Sequence, residues 1–337
     1  MKKLVTVTPN TSVDRTLEVP RLVPGGHVKG RLLRLQPGGK GVNVSRCLAA
    51  LGVPSLVTGF AGSAEMALFR DGFAGTAASV ELVATAQPTR TCTTLLDPVL
   101  HTDTHIRELG CLVTREEVAA LQAKLEAIAS PDTLVVFCGS LPPGMADAHL
   151  AQLIAVCQAR GARVAADLNG PQLAAALAAR SERARPGAPP PAGRGTIADL
   201  NRCGMVLVKP NVGELGECLG RDLHGAGEEA LAVAARSLLD RVETVLVTRG
   251  REGALAVRGG EALAGTLDVG APRNTVGCGD AFLAGYLAGL WRGMAFDEAV
   301  RLAVACGAAQ AMADAPGLIA PADVEALAAR VAIRAVR

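Results

Sequence analysis

A chain of 337 residues, half of them apolar, is long enough for one large domain or two ordinary ones and can supply a substantial core. Its formal net charge is +2, from interspersed acidic and basic residues, and aromatics make up only 2%, so it lacks the basic runs and stacking ladders of a nucleic-acid binder. The longest stretch without Asp, Glu, Lys or Arg, Cys47–Ala64, is interrupted by Gly52, Pro54, Gly59 and Gly62, so it does not read as the roughly 18 apolar residues of a membrane helix. The nine cysteines show no Cys-x-x-Cys pair, so they read as buried thiols of a reducing compartment and not as a disulfide frame or zinc site. With no targeting segment apparent, the expected location is the cytoplasm.

Leu4–Thr8 is predicted as a strand, with Asn10 and Asp14 just past its end. Thr16–Val19 and Val28–Leu35 read as extended runs. The segment Pro37-Gly38-Gly39-Lys40-Gly41-Val42-Asn43-Val44-Ser45 makes a turn that opens a helix over Val42–Leu51, closed by Gly52. Ser55–Gly59 is a strand, and Thr91–Leu96 and Thr104–Arg107 are two more, parted by a turn at Asp97-Pro98. Helix Glu116–Ala129 leads to the apolar strand Thr133–Cys138. Helix Asp147–Arg160, strands Ala162–Asp167 and Met205–Lys209, helix Gly227–Leu239 and strand Thr244–Thr248 continue the alternation. Asp280–Trp291, Phe296–Met312 and Pro321–Val331 are predicted helices. Such repeats predict an α/β fold: three α/β/α layers, a mostly parallel sheet, and active groups at the C-terminal ends of its strands. Four early strands lack intervening helices and fall outside the repeat. So does the proline-rich stretch at 181–198, which proline keeps from helix or central strand and which reads as a surface insertion.

The segment Asn274-Thr275-Val276-Gly277-Cys278-Gly279-Asp280 opens an apolar helical run. Unpaired N–H groups and the positive dipole end at a helix N-terminus favour an anion, and Gly277 and Gly279 let the backbone approach it. An acid at the mouth of an anion site suits a base that takes a proton from a hydroxyl attacking phosphorus. The same residues also fit a glycine turn with Asp280 as cap. Gly38, Gly39, Lys40 and Asn43 offer backbone, cation and amide to a polyhydroxylated or phosphorylated ligand. No Walker A loop is present, and Phe282 stands where a dinucleotide fingerprint needs its third glycine.

Together these two segments resemble the PfkB/ribokinase family of carbohydrate kinases, with its G-G-K-G-x-N-V and T-x-G-x-G-D-x-F-x-G motifs. The likeness runs from Val5 to about Asp314. It implies a ribokinase-like sandwich in a single kinase domain over 1–337, with ATP and Mg²⁺ as cofactors. It also implies a small β-sheet lid, from strands within 14–35 and 90–107, that covers the sugar and joins two subunits as a homodimer. Asp280 would be the base, and Gly277, Cys278 and Gly279 the anion hole. Cys278 replaces the family's usual alanine and reads as a small apolar filler, the other reading being a reactive thiol whose pKa the helix end lowers.

The resemblance assigns Asp14, Gly38, Gly39, Lys40 and Asn43 to the sugar. Pro9 and Asn10 are exchanged relative to the family's N-P-x-x-D, and an Asx-turn is the other use of Asp14. Gly139-Ser140-Leu141-Pro142-Pro143-Gly144 is similar to the S-G-S-L-P-P-G of the family's sugar-phosphate kinases, with Cys138 for the first serine. Ser140 then belongs to the substrate side. Arg90 would grip the phosphate the substrate already carries, because a guanidinium matches phosphate oxygens in a fork; His27, Lys29 and Arg107 are further candidates.

Lys209-Pro210-Asn211-Val212-Gly213-Glu214 carries the family's N-x-x-E. That places Lys209 and Asn211 at the nucleotide and Glu214 with Asn211 at Mg²⁺ through water, with Asp167 in the same water network. Asn211 as helix cap and Glu214 as first-turn acid remain the alternative. Thr248-Arg249-Gly250-Arg251-Glu252-Gly253 puts Thr248, Gly250 and Gly253 against ATP, or makes a plain strand-to-strand turn. The adenine pocket is expected between this turn and Cys306–Gln310.

The implied activity is ATP-dependent phosphorylation of a hexose phosphate, fructose 1-phosphate first, with tagatose 6-phosphate or fructose 6-phosphate as alternatives. A silent sugar-phosphate sensor is the reading from another class, because the family's G-x-D-x-x-G is lost after Gly62.

Overall fold

The computed structural model describes residues 1–178 and 205–336; the proline-rich stretch at 181–198 lies outside them. In chain order the first strands are β1 (Lys3–Thr8), β2 (Ser12–Glu18) and β3 (Arg31–Gly38), followed by helix α1 (Lys40–Ala50). Next come β4 (Ser55–Gly62), α2 (Met66–Asp71), β5 (Ala78–Val80), β6 (Val83–Thr85), β7 (Thr91–Asp97) and β8 (Thr102–Arg107). The middle of the chain holds α3 (Arg115–Ile128), β9 (Thr133–Cys138), α4 (Asp147–Ala159), β10 (Arg163–Asp167), α5 (Gly170–Ala178), β11 (Met205–Val208), α6 (Val212–Leu219) and α7 (Glu228–Arg236). The last part holds β12 (Thr244–Thr248), β13 (Ala254–Arg258), β14 (Glu261–Thr266), α8 (Cys278–Trp291), α9 (Phe296–Met312), α10 (Pro321–Ala328) and β15 (Ala332–Ala335).

The large sheet runs β15-β14-β13-β12-β11-β10-β9-β1-β4-β5, with β6 also on β4. From β5 to β12 the pairs are parallel; β12 to β15 are antiparallel. Its central strands are buried on both faces, as their continuous apolar runs require. In β9, Val135 and Phe137 join the core under α3, α4 and α5, while Leu134, Val136 and Cys138 join the core under α1, α8 and α9. The three layers predicted from the β-α alternation are therefore present.

Helix α8 shows what holds the site in place. It contains Gly279, Gly285 and Gly289, and each interior glycine costs a helix about 1 kcal/mol relative to alanine. Against that, Phe282, Leu283, Tyr286 and Leu287 are buried, and burying one such side chain contributes about 1.5–3 kcal/mol. Packing against α1 and α9 therefore decides that this segment is helical.

The four early strands form a separate sheet in the order β3-β2-β7-β8, with β2 and β7 parallel. Asp97 locks its turn. Burial pushes the carboxyl up, but the N–H groups of Leu100, Leu22, Arg21 and Val99 outweigh this and bring it to about 2. Boundaries move relative to expectation. Strand β2 starts at Ser12 and so contains Asp14; β3 starts at Arg31; and α1 starts at Lys40, ahead of Val42. The predicted helix Pro321–Val331 stops at Ala328, and Ala332–Ala335 closes the sheet edge. Strands β13 and β14 were not predicted. Their alanine- and glycine-rich sequences carry little β-propensity, and the neighbouring strands impose the extended form.

Among the described residues no helix is long and apolar enough to cross a membrane. The eight described cysteines are all free.

Candidate active site

The C-terminal ends of β1, β9, β10, β11 and β12 meet the N-termini of α1, α6 and α8. Gly277 caps α8 in the left-handed conformation at φ 81°, and Asp280 lies in the first turn. The Asp280 carboxyl is buried, and Asn43 Nδ2, from α1, donates to its Oδ2 at 2.9 Å. Burial and the neighbouring Asp167 carboxylate push Asp280 up to about 6. The Asn43 amide and the Lys40 and Lys209 ammoniums oppose this shift.

Asp167, the last residue of β10, is fully buried between two lysines. Lys40 Nζ donates to Oδ1 at 3.0 Å, and Lys209 Nζ lies 3.1 Å from Oδ2. Burial raises the Asp167 carboxyl, but the two ammoniums outweigh it and hold the group below its ordinary value. Lys40 Nζ also stands 3.5 Å from Glu214 Oε1. Burial works against its charge, yet Asp167, Glu214 and Asp280 keep it firmly protonated. Lys209 is only 4% exposed and sits directly behind the glycine turn: a Cβ on Gly279 would lie 3.3 Å from its Nζ.

Asn211 and Glu214 form a reciprocal cap on α6. Asn211 Oδ1 accepts from Glu214 N at 2.9 Å, and Glu214 Oε2 accepts from Asn211 N at 2.8 Å. The capping alternative is thus realised, while the other Glu214 oxygen faces Lys40. Thr248 bridges to Asn211, and Gly250–Glu252 is a short 3₁₀ turn joining β12 to β13. Among the described residues no cluster of three or more His, Cys, Asp or Glu is arranged to hold a metal ion.

On the opposite side, Asp14 Oδ1 accepts from Ser12 Oγ at 2.6 Å. Burial raises its pKa against that hydrogen bond and the charges of Arg90, Arg46 and Arg107. A Cβ on Gly38 would fall 2.2 Å from the Asp14 carboxylate, so only glycine admits this contact. Gly39 caps α1 next to it. Asn10 Nδ2 donates to Ser140 Oγ and to Leu109 O, both at 3.0 Å.

Three assigned roles meet different surroundings. Arg90, expected to grip the substrate's phosphate, donates Nε to Thr11 O, Nη1 to Glu108 O and Nη2 to Asn10 O, which ties the small sheet to the loop after β1. Asn43, expected at the sugar, engages Asp280. Lys40, expected at the sugar, sits with Asp167 and Glu214. The Cys278 thiol is not lowered by the helix end. Burial first, then the Asp280 carboxylate, push it up to about 11, because desolvation outweighs the dipole. His27, Lys29 and Arg107 are exposed lid residues.

One support escaped the sequence reading, which named Gln310 only at the adenine pocket. Gln310, fully buried in α9, donates Nε2 to Ala315 O and accepts from Gly317 N. That fixes Pro316, whose Cβ would lie 3.1 Å from a Cβ on Gly277. A lone amide in an apolar helical run was the one available signal. Cys306, expected at the nucleotide pocket, is buried.

Comparison with known proteins gives the family and the fold. The family model described as pfkB family carbohydrate kinase matches residues 2–322. The chain is 34% identical over 334 residues to 1-phosphofructokinase of Rhodobacter capsulatus, covering 98% of each. It is 29% identical over 330 residues to ATP-dependent 6-phosphofructokinase isozyme 2 of Mycobacterium tuberculosis, covering 96% of this chain and 88% of that one. The structure of the tetrameric inhibited form of phosphofructokinase-2 from Escherichia coli superposes with a TM-score of 0.84 at 26% identity, covering 98% of this chain and 99% of that one.

Proposed function

The chain belongs to the pfkB family of carbohydrate kinases, and from that premise we propose that it transfers the γ-phosphoryl group of ATP to fructose 1-phosphate, giving fructose 1,6-bisphosphate and ADP. The observation that carries the reading is the buried Asp280 carboxyl at the N-terminus of α8, held by Asn43 and poised at about 6. Oδ2 is occupied by the Asn43 amide, which leaves Oδ1 to take the proton of the acceptor hydroxyl. The sugar oxygen so deprotonated attacks the γ-phosphorus, and the bond from phosphorus to the bridging oxygen breaks, with ADP leaving. Negative charge on the transferring group faces the Gly277–Gly279 amides and the α8 dipole, with the Lys209 ammonium behind them. Asp14, Gly38, Gly39 and Ser140 present the sugar side, and Thr248, Gly250 and Gly253 the nucleotide side.

The partly exposed Glu214 carboxylate beside the Asn211 cap offers hard oxygen to a hydrated Mg²⁺, which keeps several waters, while Asp167 is fully buried on Lys40 and Lys209 and could act only through them. Glu214 and Asn211 would hold those waters, and the ion, when bound, neutralises charge on the nucleotide phosphates. We place the reaction in the cytoplasm, in keeping with the free thiols.

ADP release over a panel of sugars and sugar phosphates tests the substrate. The highest kcat/KM is expected with fructose 1-phosphate, ahead of fructose 6-phosphate and tagatose 6-phosphate. Arg90 keeps two N–H groups beyond its three backbone contacts, so it can still meet the substrate's phosphate. Arg90→Ala should raise KM for the sugar phosphate roughly tenfold to a hundredfold, a charged hydrogen bond contributing about 1.5–3 kcal/mol, and change KM for ATP far less. A plain sugar or nucleoside outperforming every hexose phosphate would refute the substrate. ADP release with none of them would favour the silent sensor.

A second copy of the chain is the proposed cover for the lid. Leu32, Leu35 and Ile106 there are 51%, 49% and 54% exposed, high for large apolar side chains within one sheet. Leu35→Glu is expected to shift the assembly toward monomer in sedimentation equilibrium. An unchanged mass would place the interface elsewhere.

A further inference from the structure

Arg249 follows the last residue of β12 and opens the turn that ends at Gly253. Its backbone N–H closes the turn by donating to Gly253 O at 2.9 Å. Its side chain is only 8% exposed, and the two ends of the guanidinium point to different elements. Nη1 donates to Glu228 Oε1 at 2.6 Å, in the first turn of α7; Nη2 donates to Glu252 Oε2 at 2.5 Å, inside the turn itself. The other Glu228 oxygen accepts from Arg334 Nη2, on the C-terminal strand β15. The carboxylate is thus shared between the turn and the chain's last strand. Burial raises the Glu228 carboxyl, but its two arginine partners outweigh this and hold it ionised.

The four charges are not equivalent. Arg334 and the Glu252 side chain are 57% and 66% exposed, and pairs of that kind contribute little. Glu228 is 18% exposed and Arg249 8%, so theirs is the constrained pair. On its far side the turn has no room to yield. Gly253 has φ 86°, and a Cβ there would fall 2.1 Å from Gly265 O of β14. The turn is therefore gripped between β14 and α7, and the grip on the α7 side is one guanidinium.

We infer that Arg249 is a positioning residue for the turn Thr248–Gly253, anchoring it to α7 and, through Glu228 and Arg334, to β15; this presupposes that the turn lies on the nucleotide side. Replacing Arg249 frees the turn without stranding a buried charge, because Glu228 keeps Arg334.

The test uses the full-length enzyme. The affinity of a non-hydrolysable ATP analogue is measured by calorimetry, alongside KM for ATP and for the sugar phosphate. Arg249→Met and Glu228→Gln should each weaken nucleotide binding roughly fivefold to thirtyfold, the factor that one to two kcal/mol of lost positioning gives, with KM for the sugar phosphate unchanged. Combining them should add little, since both cut one link. Arg249→Lys should recover only part, because an ammonium cannot serve both carboxylates in a fork. Gly253→Ala separates the inference from its premise. If it weakens nucleotide binding and Arg249→Met does not, the role of Arg249 is refuted and the nucleotide turn stands. If neither changes nucleotide affinity, the turn is not on the nucleotide side and both fall. Equal losses toward both substrates with a lowered Tm would mark Arg249 as a general structural residue and overturn the inference.

Discussion

Asp280→Asn is expected to lower kcat by roughly 10²–10⁴, the usual contribution of a positioned general base, while ATP and sugar phosphate still bind. The substitution keeps the shape of the side chain and an oxygen for the Asn43 amide, so it removes basicity and little else. The pH profile should carry the same signature. A base works deprotonated, and burial with the Asp167 carboxylate raises this one to about 6. Turnover should therefore be full above that pH and fall as pH drops through it, with no such limb in the asparagine variant. Retention of a tenth of the wild-type kcat would remove Asp280 from the role.

Lys209→Met is the second large expectation, and it acts on stability and rate together. Lys209 is 4% exposed and lies 3.1 Å from the fully buried Asp167. Removing one partner of a buried pair costs about 3–5 kcal/mol, a figure that Lys40, still on Asp167, brings toward its lower end. Loss of that positive charge should also move the acid limb of kcat to higher pH and raise KM for ATP more than KM for the sugar phosphate. The sign for stability follows from Asp167. Its folded pKa lies below the unfolded value of 3.8, so it contributes stability above that pH that is lost as acid protonates the folded carboxylate. In the variant this loss should begin at higher pH. Urea melts over an acid pH series, paired with steady-state kinetics, read both effects. An unchanged melt, or equal changes in the two KM values, would contradict the assignment.

The glycine turns at 38–41 and 277–279 were legible in the sequence because a short motif carries its own backbone demand. The parallel sheet was legible because strands buried on both faces leave continuous apolar runs. The partners were not legible. Asn43 reaches a carboxylate 237 residues away, and Lys40 one 127 residues away, so nothing local shows that these polar groups serve the base and its neighbour before they serve a sugar. The structural contacts of Arg90 were hidden for a similar reason: its three acceptors are backbone carbonyls, which every residue possesses. For Cys278 the lowered thiol stayed open in the sequence because a helix start is visible there and desolvation is not; burial leaves the filler reading. Strands β13 to β15 were hidden by composition, since their extended form comes from neighbours and not from their own residues.

The contact between α1 and α8 also bears on synthesis. Val44, Cys47 and Leu48 of α1 share a core with Leu283 and Leu287 of α8. Asn43 and Asp280 lie 237 residues apart, so at 5–20 residues per second a ribosome takes roughly 10–50 s to travel between them. During that interval the nascent α1 can already pack on β1, β4 and β9, but the part of its apolar stripe that meets α8 stays uncovered.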